Sequence, residues 1–345
     1  MTDTIKISTP PEWDSRVNCV LVAYPAAHTD WTYILNEAQH CFNNIIKEIS
    51  DVGLKVLIIG NEPEVRLKLK DAGIISEHIC VVDIPYDDTW ARDFGMISIE
   101  KNNKIAYLDF KFNGWGLKFR AANDNRICRA LTKFSHLNFK NRLINRQNFV
   151  LEGGSIETDG NGTILTTSKC LLSPNRNAEF TKQDIEKKLC KELGASRILW
   201  LNHGELEGDD TDSHIDTIAR FVNIDTIAYV KCYRKEDSHY KELQLMEEEL
   251  RTFLTKDGHY YNLIPLPLPE PIFDDNGNRL PATYANFLIT PTTLFVPTYK
   301  QEENDNKAIQ ILKKAFNNLT VKGIDCTPLI KQHGSLHCVT MQLIC

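Results

Sequence analysis

A short polar segment that leads directly into a strand-like stretch recurs along this chain, and this repeat constrains the fold more than any other feature. Four copies carry a carboxylate, a histidine or a cysteine beside glycine, at residues 90–95, 151–154, 208–216 and 334–338. Their spacing indicates a period of roughly 60 residues with one copy missing, and self-similarity at a fixed period is typical of propeller-like folds. Residues 283–286 fill the gap, because they also lead into a strand-like stretch. The sequence therefore predicts five repeated units.

A helical pattern that stops at glycine and continues as a strand is the second recurring element. It occurs at Gly53 and Gly194, and the sequence around Gly323 predicts a third copy. Glycine after the last helical turn adopts the left-handed conformation at little cost. This order is common to α/β proteins in general, so it predicts an α/β fold without specifying which one.

The length and composition are those of a large globular chain. With 345 residues, 42% of them hydrophobic, the chain can bury a large core. No linker rich in Pro, Gly and Ser divides it, so we expect a single domain over residues 1–345. The proline-rich residues 264–271, followed by 274–278, predict an extended connection with a turn, or else a lid over a site.

Charge and targeting signals argue against several classes of function. Residues 1–6 lack a basic segment leading into an apolar one, and no apolar run approaches the ~20 residues of a membrane span. We therefore expect a cytoplasmic protein with no membrane partner. The net charge of −6 argues against a nucleic-acid partner and mildly favours a cationic small molecule.

The ten cysteines form no CxxC pair, which argues against a structural zinc site, and without an export signal we expect reduced thiols. Most are predicted to be small core residues; these are Cys19, Cys41, Cys80, Cys128, Cys170, Cys190 and Cys232. Cys338 differs because Gly334 and Ser335 precede it at the predicted start of the last strand, where a substrate can approach. Cys338 is the candidate nucleophile.

A thiol nucleophile needs a base, and two histidines are candidates. His337 adjoins Cys338, but successive residues on a strand point to opposite faces, which argues against it. If residues 214–216 are extended, the side chains of His214 and Asp216 lie on one face. A lone histidine is more often structural, but the surrounding acids favour His214 as the base.

The acids near His214 allow a metal-binding alternative. The aspartates are Asp209, Asp210, Asp212 and Asp216. An EF-hand that starts at Asp209 needs glycine and glutamate where His214 and Arg220 stand, so calcium is disfavoured, whereas magnesium or manganese stays open. Asp209 and Asp210 also have a purely structural interpretation, because Asp side chains stabilise turns.

Three carboxylates, Asp93, Glu152 and Asp216, accompany the thiol and the histidine. Carboxylates that converge repel one another unless a cation, a metal or shared protons compensate. A guanidinium group offers five N–H donors in a planar fork that carboxylates match bidentately. We therefore expect Asp93 and Asp216 to hold a guanidinium whose central carbon faces Cys338, and whose charge helps to stabilise the thiolate.

These segments together resemble the motif series of the agmatine deiminase family, which belongs with bacterial-type peptidylarginine deiminases in the guanidine-modifying superfamily. The matching segments are residues 88–95, 112–116, 152–155, 208–216 and 337–340. They occur in the order of the family and cover nearly the whole chain. The resemblance implies a pentein fold, an α/β-propeller of five ββαβ-type units with pseudo-fivefold symmetry and the active site at its centre.

The resemblance also implies roles for individual residues. Cys338 is expected to be the nucleophile, His214 the general acid and base, and Asp93 and Asp216 the acids that hold the guanidinium. Glu152 is expected to orient His214 or to bind the substrate edge, although it could be only a turn carboxylate. The implied reaction converts agmatine to N-carbamoylputrescine and ammonia through a cysteine-linked thiouronium, within putrescine biosynthesis, without metal or organic cofactor.

Substrate choice is less constrained than the reaction. Trp90 and Trp115 could line the alkyl chain of agmatine or simply pack in the core. Arg92 or Arg120 could instead bind the carboxylate of arginine or a peptidylarginine, although Arg92 is expected to pair with nearby acids. The chain departs from the usual family pattern at Met96, Gly114, Leu117 and Ser213, and residues 332–336 before Cys338 lack the longer glycine run of the family.

Other classes of protein and the assembly state also remain open. A metal-dependent hydrolase and a catalytically silent pentein that only binds a ligand are the alternatives to a deiminase. The presence of Cys338, His214 and all three acids argues against the silent form. A homodimer is a further possibility that the sequence does not decide.

Overall fold

The computed structural model describes residues 6–345, so most of the N-terminal stretch used to judge export lies outside the described residues. Short strands form the frame of the fold. They are β1 (Ile7–Ser8), β2 (Cys19–Ala23), β3 (Lys55–Ile59), β4 (Ile79–Val82), β5 (Ile97–Lys101), β6 (Lys104–Lys111), β7 (Leu143–Val150), β8 (Ile156–Thr158), β9 (Thr163–Thr167), β10 (Arg197–Leu201), β11 (Ala219–Asn223), β12 (Thr226–Lys231), β13 (Asn262–Pro267), β14 (Leu288–Ile289), β15 (Thr293–Thr298), β16 (Thr320–Asp325) and β17 (Met341–Leu343).

Helices connect these strands. The longer ones are Leu35–Asp51, Glu62–Asp71, Lys182–Leu193, Tyr240–Leu250 and Glu302–Ala315. The short ones are Ala91–Phe94, Ile127–Leu131, Ser168–Leu171, Pro174–Asn177 and Thr327–Ile330, with single 3-10 turns at Thr32–Ile34, Asp124–Arg126, Ser135–Leu137, Gly153–Ser155 and Ile215–Thr217. No helix within residues 6–345 is both long enough and apolar enough to cross a bilayer.

The strands form five sheets that share one arrangement. The common strands are β5-β6-β7, β8-β9-β10, β11-β12-β13, β14-β15-β16 and β17-β2-β3. In each sheet the first strand is antiparallel to the second, and the second is parallel to the third. A parallel pair needs a crossover connection, which helical segments supply in every unit. The predicted α/β fold of five ββαβ-type units is therefore confirmed.

The two ends of the chain build the fifth unit together. The C-terminal strand β17 pairs with β2, with Met341 opposite Leu21 and Leu343 opposite Cys19. All five residues of β2 are buried, as expected for a strand in the middle of a sheet whose faces are covered. Strands β1 and β4 extend two of the sheets at their edges. The extent of the domain, residues 1–345, stays a prediction.

Two of the three predicted helix–glycine–strand junctions are confirmed. Gly53 and Gly194 follow helices and have φ of +82° and +72°. The third is wrong, because Gly323 lies inside β16 and the preceding helix ends at Ala315. A Cβ on Gly323 would lie 3.0 Å from a methyl of Thr298 and 3.2 Å from one of Ile309. This glycine therefore serves close packing and not a turn.

The proline-rich stretch is only partly the connection that its composition predicts. Its first residues belong to β13, where Pro265 lies opposite Tyr229 of β12. β13 is the edge strand of its sheet, and an edge position tolerates proline because its outer side needs no N–H. The predicted turn that follows is confirmed, since the carboxylate of Asp274 accepts hydrogen bonds from the N–H groups of Asn276 and Asn278 at 2.9 and 2.7 Å.

Candidate active site

Each of the five units places a polar segment immediately before its first strand. The five positions are Asp93 before β5, Gly154 before β8, Asp216 before β11, Asn286 before β14 and Cys338 before β17. The segments contact one another directly. The N–H of Gly154 donates to Asp93 Oδ1 at 2.9 Å, and Asn286 Nδ2 donates to the carbonyl of Asp216 at 3.2 Å. The repeat therefore brings residues from every unit to one place.

Cys338 lies in a turn and is 8% exposed. The expected location at the start of the last strand is wrong, because residues 336–339 form the turn and β17 begins at Met341. The Sγ of Cys338 lies 3.4 Å from Asn286 Oδ1 and 3.9 Å from Asp216 Oδ2. Burial and the charges of Asp216 and Asp93 raise the pKa of Cys338 well above its usual value. The thiol is therefore protonated at neutral pH while no cation is bound.

The other polar groups meet closely above Gly154. A Cβ on Gly154 would lie 2.7 Å from His214 Nδ1, 2.9 Å from Asp93 Oδ1 and 3.1 Å from Asp216 Oδ2. Two buried atoms of this group, Asp216 Oδ1 and His214 Nε2, have no hydrogen-bond partner within the described chain. Such atoms cost free energy when they remain unpaired. A cation that carries N–H donors would satisfy the carboxylate oxygen.

The backbone around His214 differs from the extended form that the sequence suggested. Ile215–Thr217 form a 3-10 turn, so His214 and Asp216 do not lie one pleat apart on a strand. Their side chains still reach the same space because the turn is tight. Burial opposes a charged imidazole, but the neighbouring Asp93, Cys170 and Glu152 outweigh it and hold the pKa of His214 well above its usual value. The imidazole is therefore cationic at neutral pH.

Asp93 is held in place by two donors. Its Oδ2 accepts a hydrogen bond from Trp115 Nε1 and its Oδ1 accepts one from the N–H of Gly154, both at 2.9 Å. Its Oδ1 also lies 3.5 Å from His214 Nδ1. Burial, together with the charges of Asp216 and Glu152, raises the pKa of Asp93 to about 6, against the opposing effects of His214 and Trp115. Asp93 is therefore a carboxylate only above roughly that pH.

Trp115 sits in a left-handed turn. The four residues Gly114, Trp115, Gly116 and Leu117 all have positive φ, between 53° and 80°. Each residue other than glycine costs about 1–2 kcal/mol in such a helical turn, and stored strain of this kind clusters at functional sites. Ser213, just before His214, also has a φ of +63°. Two of the departures from the family pattern, Leu117 and Ser213, thus place a side chain where the backbone favours glycine.

Glu152 is fixed by an arginine that sequence reasoning missed. The Nε of Arg176 donates to both carboxylate oxygens of Glu152, at 2.9 and 3.1 Å. Arg176 also donates to Asp212 Oδ2 at 2.6 Å and to the carbonyl of Thr211 at 2.9 Å. Both Glu152 and Arg176 have fully buried side chains. Arg176 therefore ties Glu152 to the loop that carries His214, and only a short polar run after Pro174 could have suggested it.

The structure shows no metal site among the aspartates that were considered for magnesium or manganese. Asp209 accepts hydrogen bonds from Thr211 and Ser213, as expected for a turn residue. Asp212 pairs with Arg176, and Asp216 with His337. In residues 6–345 the only acids, histidines and cysteines with three ligand atoms within 4.8 Å of one another are Glu152, Cys170 and His214. Cys170 is buried, as its position predicted, and its thiol lies beside His214.

A cleft of about 460 Å³ leads to Cys338 and His214. Trp90 and Trp115 both line it and pack edge to face, with ring centroids 6.5 Å apart. Besides Asp93, three acids line the same cleft, Asp30, Asp88 and Asp210, and no lysine or arginine from the described residues joins them. Burial raises the pKa of Asp88 to about 7 and that of Asp210 to about 6, and the like charges nearby add to both shifts.

The two arginines considered for a substrate carboxylate lie elsewhere. Arg92 is buried and pairs with Glu12 at 3.0 Å, as expected for an arginine that pairs with acids. The side chain of Arg120 is 79% exposed and pairs with Asp87 at 2.9 Å. Neither lines the cleft.

Comparison with known proteins identifies the family. The family model of Porphyromonas-type peptidyl-arginine deiminases matches residues 8–343. The chain belongs to this family. A Legionella pneumophila relative, provisionally named an agmatine deiminase, is 32% identical over 338 residues, which are 96% of this chain and 93% of the relative. The family membership that the motifs predicted is therefore confirmed.

Solved structures of relatives have the same fold. The structure of a Porphyromonas gingivalis protein, provisionally named an arginine deiminase, is similar at a TM-score of 0.89 and 43% identity, covering 98% of both chains. That of a cysteine-to-serine variant of C. jejuni agmatine deiminase with substrate bound gives 0.91 and 38%, covering 99% of this chain and 97% of that one. A dimethylarginine dimethylaminohydrolase, at 0.52 and 9% over 95% of this chain and all of that one, shares the fold alone.

Proposed function

We propose that this protein hydrolyses agmatine to N-carbamoylputrescine and ammonia through a covalent intermediate on Cys338. The observation that carries the proposal is the convergence of Asp93, Asp216 and His214 on one space close to Cys338. A guanidinium at the end of the cleft, beside these groups, would neutralise the two carboxylates and give the unpaired Asp216 Oδ1 a donor. Its positive charge also lowers the pKa of the Cys338 thiol, which then loses its proton to solvent.

The first half of the reaction forms the intermediate. The Cys338 thiolate attacks the guanidinium carbon, and a new C–S bond gives a tetrahedral adduct. His214, which is cationic in the free protein, donates its proton to one amino nitrogen. The C–N bond breaks, ammonia leaves, and a cationic S-alkylthiouronium remains on Cys338.

The second half of the reaction releases the product. Neutral His214 accepts a proton from water as the water oxygen attacks the thiouronium carbon. Collapse of this adduct breaks the C–S bond, and the proton of the new hydroxyl group returns Cys338 to the thiol. The product is a ureido compound. Glu152, fixed by Arg176, would orient His214 during both proton transfers.

Agmatine fits the cleft better than arginine does. The far end of agmatine is an ammonium group, and the acids Asp30, Asp88 and Asp210 suit it. Arginine and peptidylarginine carry a carboxylate or a peptide carbonyl at that end, and no lysine or arginine from the described residues lines the cleft to bind a carboxylate. The ring faces of Trp90 and Trp115 would cover the alkyl chain and stabilise the cation.

Arginine or a peptidylarginine is the second candidate substrate, because the family and the P. gingivalis relative are named for those activities. A role in putrescine biosynthesis follows from the proposed product. The cytoplasmic location, the homodimer, the lack of a metal or organic cofactor and the lack of nucleic-acid and membrane partners stay predictions.

Ammonia release from agmatine, arginine and a peptidylarginine, each with a chelator present, tests the proposal. We expect turnover of agmatine that survives chelation and is lost in Cys338→Ala. Preference for arginine or the peptide would overturn the substrate but keep the mechanism. Activity that is lost with chelator and persists in Cys338→Ala would overturn the deiminase proposal.

A further inference from the structure

A chain of three hydrogen-bonded side chains leads from the N-terminal segment to Asp216. His337 Nδ1 lies 2.7 Å from Asp216 Oδ2, and His337 Nε2 lies 2.6 Å from Glu12 Oε1. His337 and Asp216 have side-chain exposures of 2% and 1%, and that of Glu12 is 14%. Glu12 does not line the cleft that leads to Cys338, so any effect that it has on the substrate is indirect.

Glu12 is held by two arginines from different units. Its Oε1 pairs with Arg92 Nη1 at 3.0 Å, and its Oε2 pairs with Arg220. Arg220 is fully buried, pairs with Glu157 as well, and donates to the carbonyl of Phe287 at 2.7 Å. These contacts leave Glu12 little freedom, and a rigid carboxylate can fix the imidazole that it binds.

The protonation states of Glu12, His337 and Asp216 are linked. Each ring nitrogen of His337 lies within 2.7 Å of a carboxylate oxygen, and two lone pairs cannot face each other at that distance without a proton between them. Each of the three groups therefore constrains the protonation of its neighbour. If Glu12 loses its charge, this set of hydrogen bonds has to rearrange, and the carboxylate of Asp216 loses its fixed orientation.

The orientation of Asp216 decides which of its oxygens is available. His337 takes Oδ2, and Oδ1 is the buried oxygen without a partner. We propose that Glu12 is a positioning residue for the reaction, which acts through His337 to fix Asp216 for the substrate guanidinium. The inference rests on the proposed function, because it assigns Glu12 to the same guanidinium site.

Steady-state kinetics with agmatine tests this role through Glu12→Gln. We expect KM to rise about ten- to hundredfold, since a misplacement of about 1 Å at a binding group has effects of up to that size. Glu157→Gln is the matched control, because Glu157 pairs with the same Arg220 but is not bonded to His337. We expect its KM to stay near that of the wild type.

Two further variants separate positioning from folding. Glu12→Asp keeps the charge beside Arg92 and Arg220 but draws the carboxylate back from His337, and we expect a similar rise in KM. In a His337→Gln background, Glu12→Gln should change KM by less than about twofold, because linked residues are not additive. Loss of folded protein lowers the amount of active enzyme and so lowers apparent kcat, but it leaves KM unchanged.

The outcomes distinguish this inference from the proposed function. If the wild type releases no ammonia from any guanidine, the proposed function fails and takes the inference with it. If the wild type is active and both Glu12 variants keep the wild-type KM, the inference alone fails. An equal rise in KM for Glu157→Gln also overturns it, because the effect then comes from the arginine network and not from the link through His337.

Discussion

Asp210, at the cleft that leads to Cys338, offers the clearest test of substrate recognition. Its pKa is raised from 3.8 to about 6, first by burial. A shift of about two units corresponds to ~3 kcal/mol between the two protonation states, which a bound ammonium would partly recover. Solvent at the cleft and the remaining acids reduce the loss in Asp210→Asn to roughly half of that, or roughly tenfold in affinity.

The assay compares agmatine with n-butylguanidine, which has the same guanidinium but no amine. In Asp210→Asn we expect KM for agmatine to rise about tenfold with kcat unchanged, because the lost contact is made equally in the ground and transition states. The backbone carbonyl of Asp210, and not its carboxylate, accepts the hydrogen bond from Lys118 Nζ, so that contact survives. Glu205→Gln, which removes a surface acid paired with Lys169, is the control for net charge. An equal rise in KM for both substrates would refute amine recognition by Asp210.

Three more predictions follow from the same geometry. Gly154→Ala should abolish turnover in a folded protein, since its methyl group would lie within 3.1 Å of His214, Asp93 and Asp216. Gly153→Ala should instead lower the melting temperature, because its Cβ would lie 2.1 Å from the carbonyl oxygen of Arg92. The opposite pattern in circular dichroism melts and activity assays would contradict this placement of the two glycines. The raised pKa of Cys338 predicts a protonated thiol in the free protein at pH 7. The thiolate absorbance near 240 nm, after subtraction of the Cys338→Ala spectrum, should therefore be absent until a guanidinium ligand is added. A thiolate signal from the free protein would contradict this prediction. Asp93 and Asp88 have raised pKa values of about 6 and about 7, so they lose their charge as pH falls through those values. We therefore expect kcat/KM for agmatine to decline below about pH 7 and kcat/KM for n-butylguanidine to decline only below about pH 6. If kcat/KM falls at the same pH for both substrates, the role of Asp88 is contradicted.

The repeated architecture could be predicted because each unit carries the pattern in its own local sequence. Polar segments before strands, and the glycines at 53 and 194, are determined by near neighbours in sequence. Gly323 and the strand β13 could not be predicted in this way. The first depends on a helix packed closely over a strand, and the second on an edge position that tolerates proline. Both depend on contacts between distant parts of the chain.

The candidate site was only partly predictable for the same reason. The sequence indicated Cys338, His214 and the three acids, because their residue types are unusual beside glycine. It placed Asn286 in the fifth repeated segment without a role, and it did not indicate Arg176 or Glu12. The importance of these residues appears only when separate units meet. Local backbone was also misjudged, since residues 214–216 form a tight turn and Cys338 lies before its strand. The argument against His337 assumed that strand, and the structure instead shows its imidazole bonded to Asp216 and Glu12.

The covalent step on Cys338 is the central claim, and rapid acid quench followed by mass spectrometry tests it most directly. With agmatine in excess, the account predicts a fraction of the protein heavier by the mass of agmatine minus ammonia, with the added mass on the peptide that contains Cys338. Cys338→Ser should show no such species and no turnover. Turnover in Cys338→Ser, or an adduct on a different residue such as Cys170, would contradict the account.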